Sequence, residues 1–445
     1  MWLAVYGTTK PHPHVATSYS NIGVVYKSMG KYPEALKEHK KALNMRLAVY
    51  GTTKPHPHVA TSYSNIGVVY NRMGKYPEAL KEYKKAMNMQ LAVYGTTKPR
   101  PDVASSYSNI GGVYDSMGKY PEALKEYKKV LNMQLAVYGT TKPRPHVATS
   151  YSNIGGVYDS MGKYPEALKE YKKVLNMQLA VYGTTKPRPH VASSYSNIGG
   201  VYDSMGKYPE ALKEYKKALN MQLAVYGTTK PHPDVASNYS NIGGVYKSMG
   251  KYPEALKEYK KALNMLLAVY GTTKPHPHVA SSYNNIGGVY DSMVKYPEAL
   301  KEYKKALNML LAVYGTTKPR PDVASSYSNI GGVYDSMGKY PEALKEYKKA
   351  LNMLLAVYGT TKPHPGVVFL YERIAKIYSK LGNLPEACDI FKKLLSSMVA
   401  CNMIFGEFYN VDEVHKIISF LSKVTGTDKN AREKKHKRKG RKRKV

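Results

Sequence analysis

Cysteine is scarce in this chain, and the two cysteines present argue against the frameworks on which cysteine-rich proteins depend. Only Cys388 and Cys401 occur among the 445 residues, and neither belongs to a Cys-x-x-Cys or other metal-ligand spacing. A disulfide-stapled secreted domain and a cysteine-bound zinc site are therefore not expected. This usage favours a reduced, intracellular protein.

Long apolar runs are also missing. No stretch approaches the roughly 18 apolar residues that a membrane span needs. The segment from Met1 to Gly7 lacks both the basic start and the long apolar core of a signal peptide. We therefore expect a cytoplasmic protein, with association with the cytoskeleton and location in the nucleus as alternatives.

Acidic residues are fewer than half as numerous as basic ones, at 32 against 67, which gives a formal net charge of +35. Eleven of the basic residues lie between Lys429 and Lys444. Such a run is too charged to pack, so residues 427–445 are predicted to be disordered and to bind anions. The candidate roles are nuclear import and contact with nucleic acid or an acidic surface, and the alternative is a tail that only increases solubility. The basic residues of this tail are Lys434, Lys435, Lys437, Arg438, Lys439, Arg441, Lys442, Arg443 and Lys444.

Repetition is what the chain has in abundance. The segment Leu-Ala-Val-Tyr-Gly-Thr-Thr-Lys-Pro begins at Leu3 and returns every 44 residues until the copy at Leu355. A fixed period between about 20 and 50 residues predicts a solenoid, in which each unit covers the apolar face of its neighbour. The hydrophobic content of 43% supports a folded body.

Two helices are predicted in each unit. In the unit that starts at Pro101, apolar and small residues recur at helical spacing from Tyr107 to Tyr114, and this helix A ends at Gly118. A second stripe starts at Tyr120 and continues to Gly139 as helix B. Glycine and alanine, at Gly111 and Ala123 in this unit, are predicted where helices A and B come closest.

These residues resemble a known family. The pattern Tyr107-x-x-Ile110-Gly111-x-x-Tyr114, followed by Ala123 and Tyr127, resembles the tetratricopeptide repeat (TPR) signature, with tyrosine in place of tryptophan and phenylalanine. The resemblance covers about residues 12–400 and implies an all-α fold, a right-handed superhelical solenoid of helix-turn-helix repeats. The long helix B ending in Leu-Ala-Val-Tyr-Gly is similar to the kinesin light chain and nephrocystin-3 type of array.

The repeat pattern divides the chain into segments. Residues 1–11 are expected to be a partial helix B and loop, which suggests that the chain is a fragment or starts at an internal codon. All five phenylalanines follow Gly366, so the ninth unit is predicted to be a diverged cap. The predicted segments are a truncated repeat at 1–11, eight near-identical units at 12–363, a ninth capping unit at 364–400, a C-terminal capping helix at 401–426 and the tail at 427–445.

By the same resemblance, helix A lines an inner groove. Three positions of helix A face that groove, namely the residues two, five and eight places after its first tyrosine. The first of these is an asparagine, whose amide can form hydrogen bonds with the backbone of an extended peptide. The alternative is that these asparagines bond to their own neighbours and are simply copied with the repeat. The asparagines are Asn21, Asn65, Asn109, Asn153, Asn197, Asn241, Asn285 and Asn329.

The other two groove positions carry glycine and charge. Glycine stands five places on, as at Gly112, which predicts close approach either of a ligand or of the adjacent helix A. Eight places on, the third to fifth units present Asp115, Asp159 and Asp203 without a lysine or arginine on the same face. These acids predict a neutral-to-basic peptide rather than the acidic cargo that a kinesin light chain would bind. The alternative is a solvated charge at a helix end.

No catalytic or metal-binding constellation is evident. The pair His12 and His14 is not repeated faithfully, since other units carry Arg100 or Asp102 at these places. Near-identical copies also do not supply a singular catalytic site. We predict a protein-interaction scaffold with no enzyme activity, cofactor or metal, and keep a kinesin-light-chain-like cargo adaptor and a nucleic-acid-associated protein as alternatives.

Overall fold

The computed structural model is all α-helical in the part of the chain that it describes, as predicted. That part comprises residues 11–95, 100–139, 144–183, 187–228, 230–316, 319–359, 364–405 and 409–424. The helices are α1 Pro13–Ser28, α2 Tyr32–Tyr50, α3 Pro57–Arg72, α4 Tyr76–Tyr94, α5 Pro101–Ser116, α6 Tyr120–Tyr138, α7 Pro145–Ser160, α8 Tyr164–Tyr182, α9 Pro189–Ser204, α10 Tyr208–Tyr226, α11 Pro233–Ser248, α12 Tyr252–Tyr270, α13 Pro277–Ser292, α14 Tyr296–Tyr314, α15 Pro321–Ser336, α16 Tyr340–Tyr358, α17 Pro365–Lys380, α18 Leu384–Phe405 and α19 Val411–Val424. Helices α1 to α18 form nine pairs, which we number repeats 1 to 9, each with a helix A followed by a helix B.

Proline and glycine set the ends of these helices. Helix A of repeat 3 begins at Pro101, whose fixed φ and missing N–H suit the first helical position. It is followed by Gly118 at φ 70°, and helix B is followed by Gly139 at φ 74°. Repeat 7 has valine at the first of these turns, and Val294 adopts φ 61°. A β-branched residue is strained at such a φ, which the glycine of the other repeats adopts readily.

Helix B packs against the helix A of its own repeat and against the next one. A Cβ at Gly111 would lie 3.0 Å from the ring of Tyr127, so glycine lets helices A and B approach. Tyr127 and Ala123 are also in one buried cluster with Ile154 and Val157 of the next helix A. The prediction that Gly111 marks the close approach is confirmed, and the side chain that it accommodates is the tyrosine ring.

Two compact units make up the chain, residues 1–225 and 226–445. In the first unit, helix B contacts the next helix A through polar side chains, as where buried Ser150 donates to half-buried Gln134 at 2.7 Å. In the second unit, Leu266 takes the place of the glutamine and is buried. Ser282, the counterpart of Ser150, donates instead to the His278 carbonyl of its own helix at 3.3 Å.

The second unit ends in a different packing arrangement. Helix α18 continues to Phe405, and α19 packs against it with Val414 and Leu421 buried. Cys388 and Cys401 are buried there as free thiols. Within the segment 401–426, where a C-terminal capping helix is predicted, residues 401–405 continue α18 and α19 is the separate helix. Residues 425–445 lie outside the described part of the chain.

Candidate functional site

The candidate site is a stripe along helix A, here named the groove stripe. It consists of the residues two, five and eight places after the first tyrosine of helix A, and in repeat 4 these are Asn153, Gly156 and Asp159. Spacing by three residues keeps them on one side of a helix with 3.6 residues per turn. Asn65, the asparagine of the stripe in repeat 2, donates to the hydroxyl of Ser20 on the preceding helix A at 3.2 Å. The stripe therefore faces the space that neighbouring helices A share.

Asparagines of the groove stripe line hollows within each unit. Asn153 and Asn197 line one hollow of about 270 Å³, which Gln178 of α8 also lines. Asn241 and Asn285 line another of about 200 Å³ in the second unit. The structure thus brings asparagines of successive repeats to one cavity, where their amides are accessible to a ligand.

The remaining asparagines have varied surroundings. Asn329 lines a hollow of about 180 Å³ beside Phe369 of repeat 9. Asn21 is exposed and Asn109 is half-buried. The bond from Asn65 to Ser20 matches the alternative that an asparagine ties neighbouring repeats together. Peptide contact at these positions stays a prediction.

A tyrosine hydroxyl lies beneath the glycine of the groove stripe. A Cβ at Gly156 would lie 3.4 Å from Oη of Tyr171, which is an ordinary van der Waals distance. No other described atom outside the local backbone lies within 4 Å of that point. Close approach of the adjacent helix A is therefore not the reason for this glycine. Its absent side chain leaves the tyrosine hydroxyl uncovered.

The groove stripe of repeats 3 to 5 carries a carboxylate in each repeat. Burial raises the pKa of Asp115, Asp159 and Asp203 above its usual range. Burial, followed by the charges of Asp159 and Asp115, raises the pKa of Tyr171 to about 12, so its phenol stays protonated. Among the described residues of the first unit, no basic side chain forms an ion pair with Asp115 or Asp159.

In the second unit two lysines lie at groove-stripe positions. The Nζ of Lys247 lies 2.9 Å from the Cβ position at Gly288; burial raises the pKa of Asp291, and the charge of Lys247 partly offsets this. The Nζ of Lys380 lies 2.9 Å from Oδ1 of Asp335. The groove position at Gly288 is thus occupied by an ammonium group, whereas the equivalent position at Gly156 is open.

A side-chain contact at the start of helix A, here called the clamp, was not predicted from the sequence. Tyr50 at the end of α2 stacks on His56 with 3.5 Å between ring centroids, and Nδ1 of His56 accepts the His58 N–H at 3.2 Å. In repeat 3 the same clamp is a cation–π contact in which Arg100 lies 4.0 Å from the ring centre of Tyr94. A tyrosine followed six residues later by histidine or arginine was the available signal.

Metal binding is not supported by the histidines described here. Histidine Nδ1 caps the N-terminus of helix A in the His-Pro-His repeats, so its role there is structural. In the described ranges, no cluster of three or more histidine, cysteine, aspartate or glutamate side chains could hold a metal ion. None of the helices described is both long and apolar enough to cross a membrane.

The lysines of helix B pair locally. Lys129 lies 3.0 Å from Glu126, three residues earlier, and its Nζ is 4.8 Å from the ring centre of Tyr107. Such exposed pairs contribute only about 0.2–1 kcal/mol each. The basic tail, in contrast, lies outside the described residues.

Comparison with known proteins adds the family. A family model for the tetratricopeptide repeat matches residues 14–92, 58–136, 102–180, 146–224, 190–268, 234–312, 278–356 and 322–398. A search of curated protein sequences finds no match. The fold is similar to that of BtubC (BKLC) from P. vanneervenii, with 21% identity over 56% of this chain and 94% of that chain and a TM-score of 0.42.

Two further solved structures are similar in fold. One is a putative kinesin light chain with nearly identical TPR-like repeats from Podosopora anserina, with 18% identity over 48% of this chain and 99% of that chain and a TM-score of 0.42. The other is a tetratricopeptide repeat protein from Parabacteroides merdae, with 18% identity over 66% of this chain and 93% of that chain and a TM-score of 0.43. At these identities the likeness concerns the fold alone. Since the family matches run almost unbroken from residue 14 to residue 398, the chain belongs to the tetratricopeptide repeat family.

Proposed function

We propose that this chain is a non-catalytic protein-interaction scaffold whose groove stripe binds extended peptide segments. The observation that carries the proposal is the hollow that Asn153 and Asn197 line together. Each amide offers two donors and an acceptor, so successive repeats can bond to successive peptide groups of an extended chain whatever its sequence. A TPR array fits the coarser role of an interaction scaffold.

The charge of the stripe defines the class of peptide. Asp115, Asp159 and Asp203 carry carboxylates that burial already destabilises in their charged form. An acidic peptide would add repulsion, whereas a neutral or basic one would not. We therefore propose a neutral-to-basic partner segment for repeats 3 to 5.

The test is a binding titration of the full chain with fluorescent pools of acidic, neutral and basic extended peptides. A variant with Asn109, Asn153 and Asn197 all changed to alanine is expected to lose about tenfold or more in affinity, since each hydrogen bond contributes about 0.5–1.5 kcal/mol. Circular dichroism should report unchanged helicity. A preference for acidic peptides, or full affinity in the triple variant, would contradict the proposal.

Two alternatives have distinct signatures. A kinesin-light-chain-like cargo or cytoskeletal adaptor would select acidic peptides in the same titration. A nucleic-acid-associated protein would bind through residues 427–445, and its affinity would fall as salt rises because counterions are released. A cytoplasmic location, or one at the cytoskeleton or in the nucleus, belongs to these proposals.

A further inference from the structure

A tyrosine hydroxyl without a partner points into the groove stripe of repeat 4. Tyr171 is 7% exposed, and no described residue of the first unit forms a hydrogen bond with its hydroxyl. The hydroxyl is nevertheless not among the fully buried side-chain atoms that lack a partner. It therefore reaches the surface at Gly156, where a Cβ would be 3.4 Å away.

A carboxylate stands on the same helix face as this gap. Asp159 follows Gly156 by three residues, about one helical turn. The charges of Asp159 and Asp115 also contribute, after burial, to the raised pKa of Tyr171. Repeat 5 has the same arrangement, with Tyr215 5% exposed and its Oη 3.4 Å from the Cβ position at Gly200. Each repeat thus offers a neutral phenol oxygen and a carboxylate around a gap in the helix surface.

The second unit shows what such a gap accepts. In repeat 7 the Nζ of Lys247 lies 2.9 Å from the Cβ position at Gly288, and Oη of Tyr303 lies 3.3 Å from the same point. Lys247 stands eight places after the helix A tyrosine of repeat 6, the position that Asp115 has in repeat 3. A lysine of the preceding repeat therefore fills the gap of repeat 7.

Repeat 8 shows separately that a lysine can pair with the aspartate of the groove stripe. Lys380 of repeat 9 bonds to Asp335 at 2.9 Å, and its Nζ lies 4.9 Å from the ring centre of Tyr340. One lysine thus occupies the gap of repeat 7, and another pairs with the aspartate of repeat 8. An ammonium group suits this setting because it donates three hydrogen bonds and offsets a half-buried carboxylate.

We propose that repeats 4 and 5 each bind the ammonium group of a lysine side chain that belongs to the bound peptide. Asp159 and Tyr171 hold it in repeat 4, and Asp203 and Tyr215 hold it in repeat 5. This inference rests on the proposed peptide-binding function and adds the residue that the groove selects. A compact ammonium fits the gap left by one absent Cβ better than the planar guanidinium of arginine does.

The experiment compares two matched peptide pools on the full chain. In both pools most positions are neutral, and fixed positions carry lysine in one pool and acetyl-lysine in the other. Acetylation removes the charge and two of the donors, so we expect the lysine pool to bind about tenfold more tightly. The double change Asp159→Asn and Asp203→Asn should abolish this difference while affinity for the acetylated pool is kept.

Further variants test whether a lysine of the chain itself can fill the gap, as Lys247 does in repeat 7. Asp115→Lys gives repeat 3 the residue that repeat 6 has at Lys247. The new lysine should cover the gap at Gly156 and reduce the preference for the lysine pool, whereas Asp115→Asn should reduce it less. Lys247→Ala opens the gap at Gly288 and should increase the preference.

The outcomes separate this inference from the proposed function. If both pools bind equally and the triple asparagine variant weakens both, peptide binding stands and the lysine subsite is wrong. If neither pool binds, the proposed function fails and the subsite fails with it. If only the lysine pool loses affinity in the double aspartate variant, the subsite is supported.

Discussion

The two compact units repeat the same sequence, yet they differ beside the last turn of helix A. In the first unit, Asp115 and Asp159 have no ion-pair partner among that unit's described residues. In the second unit, Asp335 is paired with Lys380, and Lys247 lies over repeat 7. One exchange of aspartate for lysine thus changes an open groove position into a filled one. Binding properties in such an array depend on single positions of the repeat rather than on the fold.

The contact between helix B and the next helix A differs in the same way. Half-buried Gln134 accepts a hydrogen bond from buried Ser150 at 2.7 Å, whereas buried Leu266 makes the equivalent contact in the second unit. Ser282 then uses the carbonyl of His278 instead. The same backbone therefore tolerates a polar or an apolar contact, provided that every buried polar group keeps a partner.

The largest effect is expected in repeat 1, where helix B has a histidine in place of the tyrosine of repeats 2 to 8. His39 is 2% exposed, its Nδ1 is unpartnered, and burial, with the charges of Lys27 and Arg46, lowers its pKa from 6.5 to about 4. Below pH 6.5, His39 therefore binds a proton in the unfolded chain, whereas in the folded chain it does not do so until the pH approaches 4. Stability should fall by about 3 kcal/mol between pH 6.5 and pH 4.

Urea unfolding at several pH values tests this, with His39→Tyr as the matched variant. In repeat 2 the ring of Tyr83 packs against Gly67, so a tyrosine at position 39 is expected to pack against Gly23 in the same way. The difference in unfolding free energy between variant and wild type should grow as the pH falls below 6.5. Parallel pH profiles would show that His39 does not titrate as described.

The second prediction concerns the hydrogen bond between helix B and the next helix A in the first unit. Ser106 makes the buried form of this bond, donating to Gln90 at 2.7 Å, so Ser106→Ala leaves a buried acceptor unpaired and should cost about 1–3 kcal/mol. Ser282→Ala in the second unit removes only a bond to its own helix, and we expect less than about 0.5 kcal/mol. Thermal or urea unfolding of the two variants makes the comparison, and equal losses would contradict the distinction between the units.

The smallest effect concerns the turn of repeat 7. Val294→Gly relieves a β-branched residue at φ 61° and should stabilise the second unit by about 1–2 kcal/mol. Gly250→Val makes the reverse change at φ 71° in repeat 6 and should destabilise it by a similar amount. Val294 is exposed, and a Cβ at Gly250 would meet no other described atom within 4 Å, so neither variant changes packing. Unchanged stability in either variant would contradict the argument from backbone strain.

Most of the fold could be predicted from the sequence because the period and the spacing of apolar residues are local signals. Pro101 and Gly118 mark the ends of a helix without reference to the rest of the chain. The strain at Val294 followed from the glycine that its neighbours have at the same turn. The end of α18 at Phe405 and the packing of α19 could not be predicted as well, because the sequence there no longer repeats.

The candidate site was predictable only in part. The asparagines and aspartates could be assigned to one face, but not the tyrosine beneath Gly156, because it lies on another helix. The place of Lys247 over the next repeat likewise depends on how helices A stack. Contacts between repeats decide which groove positions are open, and a single repeat does not contain that information.

The central claim, that the open face of the first unit is the peptide-binding surface, has one direct test. Two matched double variants are compared in a peptide titration, Asn153→Ala with Asn197→Ala in the first unit and Asn285→Ala with Asn329→Ala in the second. We expect a loss of about fivefold or more in affinity for a neutral-to-basic peptide in the first variant and little change in the second. Equal losses, or a loss confined to the second variant, would contradict the claim.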